Sequence, residues 1–301
     1  SPLWPVISVS SALVGRRSRL LVEWLEWWPL QYWLAYSGRV KGVIGYTVQR
    51  VALALSPRIT TYTDLTLNRL LSVKTSRQIV KLPGMFSREL HSSCLREEPA
   101  SSREPVILFV GRLVPEKRPQ LALEVMASVR GEIPGVVCVM AGQGPLLEEL
   151  RETAVRLGLP ANCVRGGVSE MELELLWEQA AVLVHPSARE GYGLVIAEAC
   201  ASGTPVVVVR SGDNAATELV DHQCNGIISE SIAKTELVAG VKAILSDRES
   251  WSKRSYQWFL SEYESRSSRS SATRIVELST RDGASPELPQ DAVGLNGYSL
   301  P

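Results

Sequence analysis

The segment from Glu190 to Glu198 has residue types and spacing that suit a phosphorylated ligand. Gly191 and Gly193 leave backbone N–H groups uncovered just before a helical stretch, and such a helix N-terminus attracts a diphosphate. Glu198 follows about one helical turn later, where its carboxylate can accept two ribose hydroxyl groups. Glu190, across the loop, can meet the hydroxyl groups of a sugar. A capped helix with two surface acids explains the same residues, so nucleotide binding is one of two interpretations of this segment alone.

Two further loops follow apolar runs. After the run 106–110 come Arg112 and Lys117. Arginine suits a bidentate phosphate contact and lysine acts as a point charge, although such cations are often merely solvated. After the run 136–141 comes Gly142-Gln143-Gly144, which begins like a dinucleotide fingerprint. Leu147 stands where the third glycine would be, so a nicotinamide-dependent dehydrogenase is the least supported class of enzyme.

These loops belong to a strict alternation of apolar runs and helical segments. The apolar runs are 106–110, 136–141, 163–164, 182–185, 205–209 and 226–228. The helical segments lie near 118–130, 145–158, 170–180, 193–202, 214–221 and 231–246. Continuous apolar strands between helices indicate an α/β fold with a doubly wound parallel sheet. Ligands bind beyond the carboxyl ends of such strands, where the three loops lie.

The N-terminal part has a weaker pattern. Strands are predicted at 19–24, 58–62 and 78–82, and helices at 2–14, 43–55 and 64–71. A dense aromatic patch is formed by Trp24, Trp27, Trp28, Tyr32, Trp33 and Tyr36, and five of the eight tryptophans lie in the first 33 residues. We interpret this aromatic patch as a packed core beside an acceptor cleft, with a membrane interface as the alternative.

Charge also separates the two parts. Residues 1–90 contain twelve Lys and Arg and four acidic residues, a net of +8, so the remainder of this formally neutral chain carries −8. The basic part suits an anionic acceptor or an anionic membrane surface, and scattered surface charge is the alternative. The neutral total gives no reason to expect a nucleic acid partner.

Cysteine and histidine spacing predicts no metal site. The five cysteines include no C-x-x-C pair, and four of them lie in or beside apolar runs, which fits a reducing compartment. No apolar run is long enough to span a bilayer. We therefore expect a cytoplasmic location, with peripheral contact to the inner face of the membrane as a further hypothesis.

Composition suggests five regions. They are an N-terminal part at 1–86, a polar linker at 87–105, an α/β domain at 106–263, a C-terminal helix at 264–281 and a disordered tail at 282–301. The first residue is Ser, and the sequence reads as though it begins partway through a domain.

Five segments resemble a known family. EGYGLVIAEACASGTPVVV resembles the Glu–seven–Glu signature of the retaining glycosyltransferases of family 4. Similar to the family's other segments, in the same order, are FVGRLVPEKRPQLAL, AGQGPLLEELRETAVRLGL, GGVSEMELELLWEQAAVLVHPS and GDNAATELVDHQCNGIIS. The resemblance covers about residues 80–250. It implies a GT-B fold in which residues 1–86 are a partial N-terminal, acceptor-side Rossmann-like domain and residues 106–263 are a complete nucleotide-sugar-binding Rossmann-like domain.

The resemblance also implies a function. The chain would transfer a hexose from a UDP-, GDP- or similar nucleotide sugar to a glycan or lipid acceptor, with retention of configuration and without a metal or cofactor. Cell-envelope polysaccharide or glycolipid biosynthesis would be its setting. The implied catalytic residues are Arg112, Lys117 and Glu190, with the two cations stabilising charge on the departing diphosphate. The implied donor-binding residues are Gly111, Gly142, Val168, Gly191, Tyr192, Gly193, Leu194 and Glu198.

Leu25 departs from the family's pattern. Relatives carry a histidine near this position, close to the reacting sugar, and leucine can neither exchange protons nor donate a hydrogen bond. A nucleotide-sugar-binding fragment without catalysis is therefore an alternative. A GT-B relative with other chemistry, such as an epimerase or a phosphorylase, is another.

Overall fold

The structure is a computed structural model that describes residues 20–73, 78–86 and 104–280, with side chains through residue 278. The predicted helix at 2–14, nearly all of the linker at 87–105 and the tail at 282–301 lie outside the described residues.

Within its described residues, the N-terminal part has a three-stranded parallel sheet and three helices. The sheet has the order β1–β2–β3. The elements are β1 (Leu21–Glu23), α1 (Leu30–Ser37), α2 (Arg39–Leu55), β2 (Arg58–Thr61), α3 (Asp64–Ser72) and β3 (Gln78–Lys81). Its small core includes Trp24, Trp27, Leu53, Ile59 and Leu70. Two tryptophans of the aromatic patch are thus core residues, whereas Tyr36 is 65% exposed.

The second part is built on a six-stranded parallel sheet. Its strands are β4 (Val106–Val110), β5 (Val137–Ala141), β6 (Val164–Arg165), β7 (Ala180–His185), β9 (Val206–Val209) and β11 (Gly226–Ser229). They lie in the order β11–β9–β7–β4–β5–β6. Counted along the chain and read from β6, this is the 3-2-1-4-5-6 order of doubly wound sheets, whose switch point lies between β4 and β7. The predicted α/β class is confirmed.

Helices cover both faces of this sheet. They are α4 (Pro119–Glu132), α5 (Leu147–Arg156), α6 (Glu170–Gln179), α7 (Leu194–Ala201), α8 (Lys234–Ser246), α9 (Arg248–Arg266) and α10 (Ser268–Thr280). Two hydrophobic clusters lie on the two faces of the sheet. They explain why every residue of β9, and every residue of β7 before His185, is apolar.

The predicted helix at 214–221 is wrong. Asp213–Asn214 instead forms a short strand, β10, that pairs with β8 (Arg189–Glu190), and a 3-10 helix follows at Ala215–Leu219. The side chain of Asn214 explains the difference. It accepts a hydrogen bond from Ala216 N (3.1 Å) and donates one to Val209 O (2.9 Å), which replaces the backbone pattern of an α-helix.

The C-terminal helices return to the N-terminal part. Helix α9 ends at Arg266, whose carbonyl oxygen accepts from Phe86 N (2.9 Å). Arg58 then donates to the carbonyl oxygen of Leu278 in α10 (2.6 Å). Within the described ranges, no helix is long and apolar enough to cross a membrane.

Candidate functional site

The loops after β4 and β5 meet backbone to backbone at the carboxyl edge of the sheet. Gly111 N donates to Ala141 O (3.1 Å), and Gly142 N donates to Arg165 O (3.2 Å). A Cβ atom on Gly142 would clash with the carbonyl oxygen of Gly111, and one on Gly144 would clash with that of Leu113. These glycines therefore allow two loops to pack closely, which accounts for the Gly-Gln-Gly turn without a dinucleotide.

Three side chains converge at the switch point. Glu190 Oε1 forms an ion pair with Lys117 Nζ and lies 2.6 Å from His185 Nε2. Only 12% of the lysine side chain and 11% of the glutamate side chain are exposed. Burial raises the pKa of the Glu190 carboxyl, but hydrogen bonding and electrostatic attraction from His185 and Lys117 outweigh it and lower the pKa to about 2. Glu190 is therefore a buried, ionised carboxylate.

The loops that carry these side chains are tied to each other. Ala188 N donates to Glu116 O (2.8 Å), and Ser187 Oγ donates to the same oxygen (3.3 Å). Because Glu116 precedes Lys117 and Ala188 lies two residues before Glu190, these bonds fix the spacing of the lysine and the glutamate.

The turn from Gly191 to Leu194 precedes helix α7. No hydrogen-bond acceptor contacts its four backbone N–H groups among the residues that the structure describes. Gly193 adopts φ +92°, and a Cβ there would lie 2.5 Å from Ala216 Cβ, so only glycine fits. The side chain of Tyr192 is buried elsewhere: its hydroxyl oxygen accepts from Met85 N (3.3 Å). Only its backbone is available to a ligand at this turn.

Glu198 is the fifth residue of α7, about one helical turn from its N-terminus, and its carboxylate is half-buried. Burial raises the pKa of this carboxyl. None of the described residues donates a hydrogen bond to its side-chain oxygens. Glu198 is therefore a desolvated acceptor without a protein partner in the described part of the chain.

Arg112 and Val168 follow the ends of β4 and β6 at the same edge of the sheet. The Arg112 side chain is exposed and forms no ion pair with any residue in the described ranges. Val168 is half-buried against the core cluster on one face of the sheet and directly precedes Ser169, the N-cap of α6. Both can reach a ligand at the carboxyl edge, but neither is part of the Lys117–His185–Glu190 cluster.

The N-terminal part also reaches the turn. Arg189 forms an ion pair with Glu26, and its guanidinium lies 3.9 Å from the ring centre of Trp28 and 4.0 Å from that of Tyr32. A Cβ on Gly191 would lie 2.7 Å from Glu26 Oε1. Part of the aromatic patch thus packs against Arg189, beside the turn that precedes α7.

Sequence reasoning missed His185, Glu26 and Arg189. His185 is the last residue of its strand, whereas the sequence predicts ligand contacts from the residues that follow each strand. Glu26 and Arg189 are separated by 163 positions, and no local pattern connects them. Leu25, at the position where a histidine was expected, is 47% exposed. No group of three or more metal-ligating side chains occurs in the described ranges.

Comparison with known proteins shows the family. The profile of the "Glycosyl transferases group 1" family matches residues 95–258, more than half of the 301 residues. The chain belongs to this family. The match spans β4 to β11 and every site residue described above in the second part.

Other group 1 glycosyl transferases show how much of such a protein the chain covers. It is 35% identical over 154 residues to an uncharacterised glycosyltransferase of Methanocaldococcus jannaschii, which is 51% of this chain and 38% of that protein. It is 31% identical over 163 residues to a GDP-mannose-dependent alpha-(1-6)-phosphatidylinositol monomannoside mannosyltransferase of Mycobacterium tuberculosis, 52% of this chain and 42% of that protein. These matches therefore span less than half of either relative.

A solved structure shows the fold of this group 1 glycosyl transferase. Anabaena HepE in complex with UDP and glucose superposes with a TM-score of 0.70 at 19% identity, covering 91% of this chain and 75% of that one. The similarity extends over both parts of the chain. The expected GT-B fold is confirmed.

Proposed function

We propose that this chain is the donor-binding and catalytic portion of a glycosyltransferase that moves a hexose from a nucleotide diphosphate sugar to an acceptor. One observation carries the proposal: Lys117 and Glu190 lie together beside a turn whose N–H groups are free among the described residues, with Glu198 following in α7. A cation, a set of backbone donors and two carboxylates match the phosphates and hydroxyl groups of such a donor.

Each group then has a role in donor binding. The diphosphate lies on the N–H groups of Gly191–Leu194 and draws Lys117 and Arg112 toward it. Glu198 accepts hydrogen bonds from the ribose hydroxyl groups. These bonds compensate for the hydration that the half-buried carboxylate has lost. Glu190 accepts hydroxyl groups of the sugar.

The rest of the donor contacts are made by backbone. Gly111 and Gly142 contact the donor through backbone atoms at the carboxyl edge of the sheet. The backbone at Val168 contacts the nucleobase, beyond the end of β6.

The proposed transfer step uses these groups and the same-face attack that the family resemblance implies. The bond between the anomeric carbon and the phosphate oxygen breaks, and both electrons remain on the diphosphate. Lys117, Arg112 and the helix N-terminus stabilise that charge, so no metal or cofactor is needed. The acceptor hydroxyl attacks from the same face and its proton passes to the leaving phosphate oxygen, which retains the configuration.

The relatives support the choice of substrates. One is named as GDP-mannose-dependent and acts on a phosphatidylinositol mannoside, and HepE is solved with UDP and glucose. A UDP- or GDP-sugar donor and a glycan or lipid acceptor fit both, as does a place in cell-envelope polysaccharide or glycolipid biosynthesis.

Donor binding is tested by calorimetry with UDP and GDP. Lys117→Ala and Glu198→Ala should each weaken the affinity of the chain for its nucleotide about tenfold or more. Lys242→Ala is the matched control, because Lys242 forms an exposed ion pair with Glu132 outside the site. Unchanged affinity in both site variants would refute the assignment.

A non-catalytic donor-binding chain is the second candidate, and Leu25 favours it. It predicts nucleotide binding with neither transfer nor slow hydrolysis of the sugar. Measuring release of free sugar from UDP-glucose and GDP-mannose separates the two candidates, since a catalytic chain should hydrolyse its donor and Glu190→Gln should abolish that reaction.

We further propose that α2 contacts an anionic membrane from the cytoplasmic side. Its exposed apolar residues lie at helical spacing, and the helix contains basic but no acidic residues. The exposed apolar residues are Val40 (75%), Val43 (51%), Ile44 (58%) and Val51 (45%), and the exposed basic ones are Arg39, Lys41 and Arg50. Apolar and basic side chains on one helix surface suit anionic phospholipid.

Sedimentation with vesicles tests this contact. Wild type should bind phosphatidylglycerol-containing vesicles at low salt but not purely zwitterionic vesicles, and Val43→Asp/Ile44→Asp should abolish binding. Leu175→Asp, at a 50% exposed site on α6, should bind as wild type does. Equal sedimentation of all three proteins would reject α2 as the contact.

A further inference from the structure

One oxygen of Glu190 receives two donors. Lys117 Nζ and His185 Nε2 both contact Oε1, the latter at 2.6 Å. Oε2 contacts no hydrogen-bond donor among the described residues. Oε2 is therefore available to a ligand, while Oε1 accepts hydrogen bonds from both Lys117 and His185.

His185 is fixed by packing rather than by other polar contacts. It is 1% exposed at the end of β7, and its ring lies nearly parallel to that of Phe109 in β4, with ring centres 6.4 Å apart and planes at 25°. Its Nδ1 atom is buried without a hydrogen-bond partner in the described part of the chain. A carboxylate only accepts hydrogen bonds, so Nε2 carries the proton in this pair. Among the described residues, Glu190 is the polar group that the ring contacts.

The proposed function requires Lys117 to change partners. A diphosphate at the turn before α7 competes with Glu190 for the lysine, because phosphate offers more negative charge and open access. Once Lys117 contacts the diphosphate, His185 is the donor that remains on Glu190 Oε1.

We infer that His185 is a positioning residue that keeps Glu190 directed at the donor sugar when Lys117 moves to the diphosphate. The inference rests on the proposed function and adds a residue that has no contact with the donor itself. It predicts that His185 affects recognition of the sugar, whereas Lys117 and Glu198 affect recognition of the nucleotide.

The alternative is that His185 merely fills space beside Phe109. A space-filling ring would change stability when replaced, and it would weaken nucleotide and nucleotide sugar binding alike. A positioning ring would change the difference between the two affinities. This difference is the affinity gained from the sugar, given by the ratio of the Kd of UDP to that of UDP-glucose, or of GDP to GDP-mannose.

The experiment measures that ratio by calorimetry for wild type, His185→Leu, His185→Gln, Glu190→Gln and the double variant His185→Leu/Glu190→Gln. Leucine keeps the buried apolar volume without a donor, and glutamine restores an N–H group close to the Nε2 position. His222→Leu is the control, since His222 is exposed and contacts Ile228 N away from the site. Thermal unfolding of each variant confirms that it is folded.

His185→Leu should lose about tenfold or more of the sugar-dependent affinity while its Kd for the nucleoside diphosphate stays within about twofold of wild type. His185→Gln should recover most of the loss, and the double variant should be no worse than Glu190→Gln. Equal weakening of both ligands by His185→Leu, or additive losses in the double variant, would overturn the inference. A wild-type chain that binds neither nucleotide would instead refute the proposed function.

Discussion

Arg189 and Glu26 form an ion pair that joins the two parts of the chain directly beside the turn before α7. The guanidinium lies against both Trp28 and Tyr32, and Trp28 Nε1 donates to the same glutamate (2.7 Å). Because Arg189 immediately precedes Glu190, this contact with the N-terminal part also restrains the backbone that carries the Glu190 carboxylate. A basic residue of the second part is thus held by an acid and two rings of the N-terminal part.

Arg189→Ala should therefore destabilise the chain. It leaves a partly buried carboxylate without its cation and removes two cation–π contacts, at a cost of about 1–3 kcal/mol. Arg210→Ala is the control, because its ion pair with Glu230 is 55% and 68% exposed and should contribute about 0–0.5 kcal/mol. Urea unfolding of both variants measures the difference, and equal losses would show that the Arg189 contact contributes no more than a surface pair.

Stability should fall in acid because of Glu190. Its pKa is lowered in the folded chain from 4.5 to about 2, so its contribution is complete above the unfolded value and is lost as pH falls toward 2. The shift corresponds to about 3 kcal/mol. Unfolding free energies at pH 7, 4 and 3 should decline more steeply for wild type than for Glu190→Gln. Parallel declines would mean that Glu190 is not the group responsible.

Glu198→Gln should stabilise the chain while it weakens binding. Burial raises the pKa of Glu198, so the ionised carboxylate destabilises the folded state. The free energy of unfolding therefore falls as pH rises through the folded pKa. A neutral amide avoids that cost at pH 7, and the unfolding temperature should rise by a few degrees. Calorimetry should show that the preference for UDP over its 2′,3′-dideoxy analogue, present in wild type, disappears in the variant. A preference that persists would separate Glu198 from the ribose.

Gly142→Ala should lower the free energy of unfolding by several kcal/mol. The added Cβ clashes with the backbone oxygen of Gly111, so one of the two loops must shift. The same change at Gly131, where no atom lies within 4 Å of the added Cβ near the end of α4, should be neutral or stabilise by up to about 1 kcal/mol. Thermal unfolding compares the two. Similar small effects would imply that the loops after β4 and β5 move apart easily.

The sequence by itself predicted the second part of the chain well. Strands such as β4 and β9 are apolar at every position because both faces of a parallel sheet are buried, and that requirement is visible in the residues. The positions of Lys117, Glu190 and Glu198 after strands were visible for the same reason, since topology brings all carboxyl ends to one edge. The error at 214–221 arose because the hydrogen bonds of Asn214 reach Val209 and Ser187, and a helical period does not encode such contacts.

Tertiary structure alone decided which side chains meet. Residue types suggested that Lys117 and Glu190 each bind a ligand, but folding pairs them with each other and adds His185, which local sequence marks only as the end of an apolar run. The role of the aromatic patch was also decided in three dimensions: Trp24 and Trp27 are core, whereas Trp28 and Tyr32 hold Arg189. Periodicity fixes what one element buries, because burial depends on the spacing along that element. Contacts between elements depend on how distant loops pack, and spacing along the chain carries no information about them.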